Sequence, residues 1–193
     1  MLNIVIFGAP GSGKGTQSAN LVEKYKLAHI STGDVLRAER DSGSELGKLA
    51  ESYMSKGQLI PDELMVDILA SVFDKKMESG EYKGVIFDGF PRTIPQGKAL
   101  NEMLEEREQN IAAVVSLDVP EEELITRLLK RGQDTGRTDD NHDVIKARLD
   151  VYYNQTTPLK ELYEKENKLH QIQGLNPVDK VFEDIVEVIE KVK

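Results

Sequence analysis

The chain has 193 residues, 39% of them hydrophobic, and a formal net charge of -9 from 34 acidic and 25 basic side chains. This length suits one substantial core with at most a small inserted lobe. The acidic balance argues against a nucleic-acid surface, and the absence of cysteine excludes disulfides and thiolate metal sites. No apolar run approaches a bilayer span and no signal-peptide pattern follows Met1. We therefore expect a cytoplasmic protein, with no membrane or nucleic-acid partner.

The chain begins with an apolar strand, Leu2–Phe7, followed by a glycine-rich turn. The turn, Gly8–Thr16, reads GAPGSGKGT and leads into a helix. Glycines let the backbone approach an anion closely, and the start of the helix adds positive charge. Lys14 would supply a charge to phosphates, and Thr16 would place a hydroxyl near Mg²⁺ or a phosphate. The sequence predicts a nucleotide-phosphate site, although Gly15 stands where the strict pattern has Ser or Thr.

Further strands alternate with helical patterns. Helices begin after Pro61 and Pro120, and an amphipathic helix over Val178–Ile189 closes the chain. Such alternation predicts a parallel sheet with helices on both faces. The strand candidates are Ala28–Ile30, Gly84–Phe87 ending at Asp88, Ala112–Val119 and Lys168–Ile172.

Two segments interrupt this alternation. Thr32–Ile60 is typical of helices without a strong strand, with Gly43, Gly47 and Gly57 as breaks. Gly132–Arg137 is predicted to be a short polar loop flanked by arginines. Both segments are interpreted as lobes that cover a phosphate site.

The strand that ends at Asp88 predicts the second half of this site. A carboxylate in that position holds Mg²⁺ in phosphate-cradle proteins, directly or through waters, or it caps the next turn. The segment Gly89–Thr93 follows at once, and Pro91 fixes the direction in which Arg92 leaves the strand. An arginine in a cleft needs an anion, and a phosphate is the natural choice.

Together the motifs resemble the adenylate kinase family of nucleoside monophosphate kinases, over essentially the whole chain. Any one block could arise by chance, whereas the set in this order is specific. The blocks are Gly8–Gln17 (GAPGSGKGTQ), Ser31–Arg37 (STGDVLR), Gly57–Asp62 (GQLIPD), Asp88–Gln96 (DGFPRTIPQ) and Arg131–Arg148.

The resemblance implies an α/β P-loop fold of three layers around a five-stranded parallel sheet, in a single domain over 1–193. Its core would be 1–30, 61–131 and 138–193, with a helical NMP-binding lobe at 31–60 and a short lid at 132–137. Only five residues separate Arg131 from Arg137. Longer family members carry a larger lid there, often with zinc-binding cysteines, so no zinc is expected.

The resemblance also implies a reaction and its site residues. The reaction is MgATP + AMP ⇌ 2 ADP, which serves purine nucleotide interconversion and energy homeostasis. ATP-binding residues would be Gly11, Ser12, Gly13, Lys14, Gly15, Thr16, Arg127, Arg131 and the backbone of Asn176. AMP-binding residues would be Thr32, Arg37, Gln58, Leu59, Ile60, Gly89, Phe90, Pro91, Arg92, Gln96, Arg137 and Arg148. Catalytic residues would be Lys14, Asp88, Arg92, Arg131, Arg137 and Arg148, with Asp88 facing Mg²⁺.

Phosphoryl transfer requires mainly positioning and charge neutralisation, so no covalent intermediate is expected. Closure over both substrates would exclude water, and Gly132 and Gly136 are either hinges for it or simple turn formers. His29, His142 and His170 fit no nucleophile arrangement and are interpreted as structural or solvated. A monomer is expected.

Three alternatives compete with this interpretation. UMP/CMP kinases share the glycine-rich and DGFPR blocks; Thr32 favours AMP, although the RAER sequence of Arg37–Arg40 also occurs in pyrimidine relatives. A GTPase switch needs Asn-Lys-x-Asp, and Asn167–His170 lacks that Asp. A catalytically inactive binding module would be expected to lose Lys14 or arginines, which are all present.

Overall fold

The computed structural model describes every residue from Met1 to Lys193. Five strands form one sheet in the order β2-β3-β1-β4-β5, and every neighbouring pair is parallel. The three central strands are mostly apolar and are buried along nearly their whole length because helices cover both of their faces. The strands are β1 (Leu2–Gly8), β2 (Ala28–Ser31), β3 (Gly84–Asp88), β4 (Ala113–Asp118) and β5 (Leu169–Gln173).

The helices begin at residues that suit a helix start. Ser44 and Asn141 accept hydrogen bonds from backbone N–H groups of the first turn, at 2.9 and 3.1 Å. The helices after Pro61 and Pro120 have acidic first turns, which favour the helix dipole. The helices are α1 (Lys14–Tyr25), α2 (Thr32–Ser42), α3 (Glu45–Met54), α4 (Asp62–Met77), α5 (Ile94–Glu105), α6 (Glu121–Thr135), α7 (His142–Val151), α8 (Leu159–Lys165) and α9 (Val178–Val192), with a π-helical segment at Tyr152–Thr156.

The core lies on both faces of the sheet. On one face, α4, α5 and α8 bury a large cluster that includes Phe73, Leu100 and Tyr163. On the other face, α1 and α9 contribute Leu21 and Ile185 to a second cluster. A third, smaller cluster joins α6 to α7. The predicted three-layer α/β fold with a five-stranded parallel sheet is confirmed. None of the helices combines the length and apolar character needed to cross a membrane.

One glycine expected to interrupt the helices does not. Gly47 lies within α3, and a Cβ there would stand 2.1 Å from the Glu39 carbonyl oxygen of α2. The residue therefore permits close packing of two helices instead of breaking one. Gly43 does end α2, with a φ of 72°, and Gly57 follows α3 with a φ of 69°.

The sequence predicted a loop over Gly132–Arg137, but only the end of this segment is a loop. Helix α6 continues to Thr135 and ends at Gly136, which has a φ of 68°. Gly132 is helical, and a Cβ on it would stand 2.9 Å from the Asp140 carbonyl oxygen. Tight packing against the following segment, and not a turn, explains this glycine.

Candidate functional site

The glycine-rich turn lies at the carboxyl end of β1 and opens α1. Gly8 has a φ of 148°, and a Cβ there would stand 2.4 Å from Ser12 Oγ. Gly13, with a φ of 96°, is the residue directly before the helix. Lys14 folds back over the turn and donates to the carbonyl oxygens of Gly8 and Ala9, at 2.8 and 3.0 Å. The backbone is thus shaped as an anion cradle with its lysine in place.

The Lys14 ammonium is held in a setting that disfavours its charge. Burial lowers its pKa to about 8; Asp88 opposes this, and the charges of Arg92, Arg148 and Arg131 add to it. No carboxylate lies within ion-pair distance of Lys14. An incoming phosphate would therefore supply the negative charge that this ammonium lacks.

Two carboxylates are shared by three arginines, which come from α6, from α7 and from the segment between these helices. Arg131 donates to both oxygens of Asp140, from Nε at 2.6 Å and from a terminal nitrogen at 2.8 Å. Arg137 donates to both oxygens of Asp139, at 3.1 and 3.0 Å. Arg148 donates to each aspartate at 2.9 Å. The guanidinium groups are thereby fixed side by side, facing one cleft.

Burial alone would raise the pKa of Asp139, but the hydrogen bond from Arg137 and the charges of Arg148, Arg137 and Arg131 lower it to about 2. The side chain of Asp140 is fully buried. A buried carboxylate persists only when it is paired in this way.

Arg92 differs from every other arginine because no carboxylate lies within 4.0 Å of it, whereas the other seven are all paired. Its Nε donates to the Gly89 carbonyl oxygen at 2.7 Å. Burial lowers its pKa to about 10, and the charge of Arg148 adds to this. Arg92 is a half-buried cation that lacks a negative partner.

A cavity of about 630 Å³, here called the lobe cavity, lies between the α2–α3 hairpin and the sheet. Leu36, Met54 and Met65 supply apolar walls of the kind that a base needs. The predicted acceptor-site residues that line it are Thr32, Arg37, Gln58, Leu59, Ile60, Gly89, Arg92, Gln96 and Arg148.

A second cavity of about 1310 Å³, here called the loop cavity, opens beside the glycine-rich turn. It shares Arg37, Arg92 and Arg148 with the lobe cavity, so the two cavities meet at these three cations. The other predicted residues that line it are Gly11, Gly13, Lys14, Gly15, Thr16, Asp88, Gly89, Arg127, Arg131 and Arg137.

Four predicted residues line neither cavity. Ser12 is buried within the turn, and its hydroxyl has no hydrogen-bond partner. Phe90 packs in the core, so only its backbone could contact a ligand. Pro91 follows it through a cis peptide bond and borders a smaller cavity behind Lys14. Asn176 lies on an exposed turn two residues after Gly174.

Arg127 connects the loop cavity to that turn. Its terminal nitrogens donate to the Gly174 carbonyl oxygen at 3.3 and 3.4 Å, while its Nε donates to Glu123 at 2.7 Å. The guanidinium group is therefore fixed between α6 and the segment after β5.

Asp88 ends β3 at the wall of the loop cavity, 3.5 Å from Nε2 of His29. Burial would raise its pKa, but the neighbouring His29 imidazole and the charges of Lys14 and Arg92 lower it. No three His, Asp or Glu side chains form a metal-holding group. Mg²⁺ commonly takes one carboxylate together with phosphate oxygens and waters, so a single carboxylate beside a phosphate cradle fits Mg²⁺ carried in with a nucleotide.

The adenylate kinase family model matches residues 6–168. This chain belongs to the adenylate kinase family. It is similar to the adenylate kinase of Bacteroides fragilis, with 64% identity over 190 residues, covering 98% of this chain and 99% of that protein. The adenylate kinase of Bacteroides thetaiotaomicron is 61% identical over 99% of this chain and 100% of its own length. That of Porphyromonas gingivalis is 46% identical over 99% and 97%.

Sequence reasoning assigned no role to Asp139 and Asp140, although they organise three arginines of this adenylate kinase family member. The signal was present in two adjacent carboxylates between Arg131 and Arg148. His29 was interpreted as structural or solvated, and the structure places it against Asp88. Only the pairing of β2 with β3, which aligns Ser31 with Asp88, brings these two side chains together.

Proposed function

We propose that this protein catalyses the reversible transfer of a phosphoryl group from MgATP to AMP, giving two ADP. One observation carries the proposal: two cavities, one beside the glycine-rich turn and one beneath the α2–α3 hairpin, adjoin at Arg37, Arg92 and Arg148. A single row of cations between two nucleotide sites suits an anion that passes from one site to the other. The similarity to three adenylate kinases supports the same reaction.

We assign ATP to the loop cavity. The backbone of Gly11–Thr16 and the Lys14 ammonium would hold its phosphates, and Arg127 and Arg131 would contact them from α6. Near the turn that contains Asn176, the adenine would be bound largely by backbone. Asp88 would hold Mg²⁺, directly or through waters, and Mg²⁺ would offset phosphate charge when bound.

We assign AMP to the lobe cavity. Arg37 and Arg92 would hold its phosphate, and Gln96 would hydrogen-bond its base. Thr32 supports this assignment, since its hydroxyl donates to the Gly89 carbonyl oxygen at 2.9 Å and fixes α2 beside that segment. The backbone of Gln58–Ile60 would complete the wall.

In the transfer step, an oxygen of the AMP phosphate would form a bond to the γ-phosphorus while the bond from that phosphorus to the β–γ bridging oxygen breaks. ADP leaves from each site, and no bond to the protein forms. Arg131, Arg137 and Arg148 would neutralise the charge on the moving group. Because Asp139 and Asp140 hold them, the arginines need little reorganisation when the phosphates arrive.

A coupled assay with AMP, CMP, UMP and GMP as acceptors tests the proposal. We expect AMP to be the preferred acceptor, and ATP hydrolysis without an acceptor to be slow. Lys14→Met should lower kcat on the order of 10²–10³-fold, as loss of a transition-state contact does. Lys24→Met, on the exposed face of the same helix, is the matched control and should keep wild-type activity. A preference for a pyrimidine, or rapid AMP-independent hydrolysis, would contradict the assignment.

The protein's surroundings are part of the proposal. We propose a cytoplasmic monomer that acts on free nucleotides and not on nucleic acid, supported by the formal charge of -9 and the absence of cysteine. Sedimentation at micromolar concentration tests the oligomeric state, and a dimer there would contradict it.

A further inference from the structure

The amide of Gln96 is held at both of its ends. The backbone N–H of Arg92 donates to Oε1 at 2.8 Å, and Nε2 donates to Asp62 Oδ1 at 2.8 Å. A backbone N–H can only donate and a carboxylate oxygen accepts, so the two partners together define which end of the amide carries the oxygen. The residue as a whole is 2% exposed, so water competes little for either end of the amide.

Each end of this amide keeps one unused hydrogen-bonding position. Oε1 has a second lone pair, and Nε2 has a second hydrogen. One acceptor beside one donor complements an adenine edge, which offers an amino donor next to a ring-nitrogen acceptor. Hypoxanthine carries a carbonyl in place of that amino group, so it offers an acceptor where the Gln96 oxygen also accepts.

We propose that Asp62 is a positioning residue that sets the choice of purine at the acceptor site through Gln96. The inference rests on the proposed AMP-acceptor function. Asp62 does not line the lobe cavity, so its effect passes through the amide that it holds. Without its carboxylate, only the Arg92 N–H orients the amide, and a rotated amide that suits hypoxanthine becomes accessible.

The alternative role of Asp62 is support of the start of α4. Pro61 is the residue directly before that helix, and no side-chain cap is formed there. Glu63 occupies the same acidic first turn, is exposed and makes no ion pair. Glu63→Ala therefore removes one negative charge from the same helical turn, as the Asp62 variants do, but leaves the hydrogen bond to Gln96 intact.

The experiment compares Asp62→Ala, Asp62→Leu and Asp62→Asn with Glu63→Ala. For each, kcat and KM are measured for AMP and IMP at saturating ATP, together with the KM for ATP. Asp62→Ala and Asp62→Leu should raise the KM for AMP about tenfold, the cost of one hydrogen bond to a charged group. Their AMP:IMP ratio of kcat/KM should fall at least about fivefold, with the KM for ATP unchanged.

Asp62→Asn keeps an accepting oxygen and should behave like the wild type, as should Glu63→Ala. In a Gln96→Leu background, adding Asp62→Ala should change the AMP:IMP ratio less than about twofold, because the residue through which Asp62 acts is gone.

Three results would overturn the inference. The first is a wild-type AMP:IMP ratio in both Asp62→Ala and Asp62→Leu. The second is a loss that Asp62→Asn shares or that persists in the Gln96→Leu background, either of which points to helix support. The third is a wild-type protein that phosphorylates no AMP, which removes the proposed function itself and is recognised before any variant is made.

Discussion

Asp140→Asn tests whether buried carboxylates hold the arginines of the proposed transfer site. The side chain is fully buried and accepts from Arg131 at 2.6 and 2.8 Å and from Arg148 at 2.9 Å. An amide of the same shape removes the charge and turns one accepting oxygen into a donor that faces guanidinium N–H groups. An amide nitrogen in place of Oδ1 leaves an N–H of both Arg131 and Arg148 without an acceptor, and one in place of Oδ2 does so for Arg131.

The magnitude follows from burial. Breaking a buried ion pair costs about 3–5 kcal/mol. Arg131 and Arg148 are 35% and 18% exposed, so water recovers part of the loss. We therefore expect the free energy of unfolding to fall by about 2–3 kcal/mol and Tm by about 5–10 °C. Turnover should fall at least about tenfold, since Asp140 would no longer fix Arg131 and Arg148, the proposed donors to the transition state.

Urea unfolding and the coupled assay measure the two effects separately. Asp134→Asn, an exposed aspartate of α6 with no ion pair, is the matched control and should leave both quantities unchanged. A change in unfolding free energy below about 0.5 kcal/mol for Asp140→Asn would refute the buried-pair reasoning. Normal turnover in a destabilised variant would refute the positioning role alone.

Arg92→Ala should lower turnover on the order of 10²-fold or more. Arg107 is a surface arginine paired with Asp74, so Arg107→Ala is the control and should keep its turnover. Equal activities of the two variants in the coupled assay would exclude Arg92 from the site. The pKa of Lys14 is lowered to about 8, so part of the Lys14 population is neutral near pH 8.5. ADP phosphates favour the charged form, so ADP binding at that pH should take up protons, which calorimetry in two buffers measures. Lys14→Met should abolish this uptake. Without nucleotide, the unfolded state binds the extra proton, so Lys14 should make stability rise from about pH 8 to 10.5. Gly57→Ala should lower the free energy of unfolding by about 2 kcal/mol in urea, and Gly43→Ala by about 1 kcal/mol. Both glycines have a positive φ, but only at Gly57 would a new Cβ lie close to neighbouring atoms, at 3.1 Å. Equal costs would contradict the packing reasoning.

Much of the fold was predictable because its signals are local. The strand before Gly8, the acidic helix starts after Pro61 and Pro120, and the strand that ends at Asp88 each depend on a few adjacent residues. The shape of the turn around Lys14 depends on adjacent residues too and was predictable for the same reason.

Other features could not be predicted because they depend on contacts distant in the chain. Gly47 and Gly132 have the pattern of breaks, and only their neighbours show that they permit close packing inside helices. The Asp62–Gln96 hydrogen bond spans 34 positions. Asp139 and Asp140 become informative only once α6 and α7 place arginines on either side of them.

The central claim is that two nucleotide sites share one row of arginines. Calorimetry with a bisubstrate ligand, two adenosines joined through five phosphates, tests it most directly. One molecule should bind per chain, ATP and AMP should each compete with it, and Arg92→Ala should weaken it far more than Arg107→Ala. Competition by ATP alone, with AMP ignored at saturation, would contradict the two-site account.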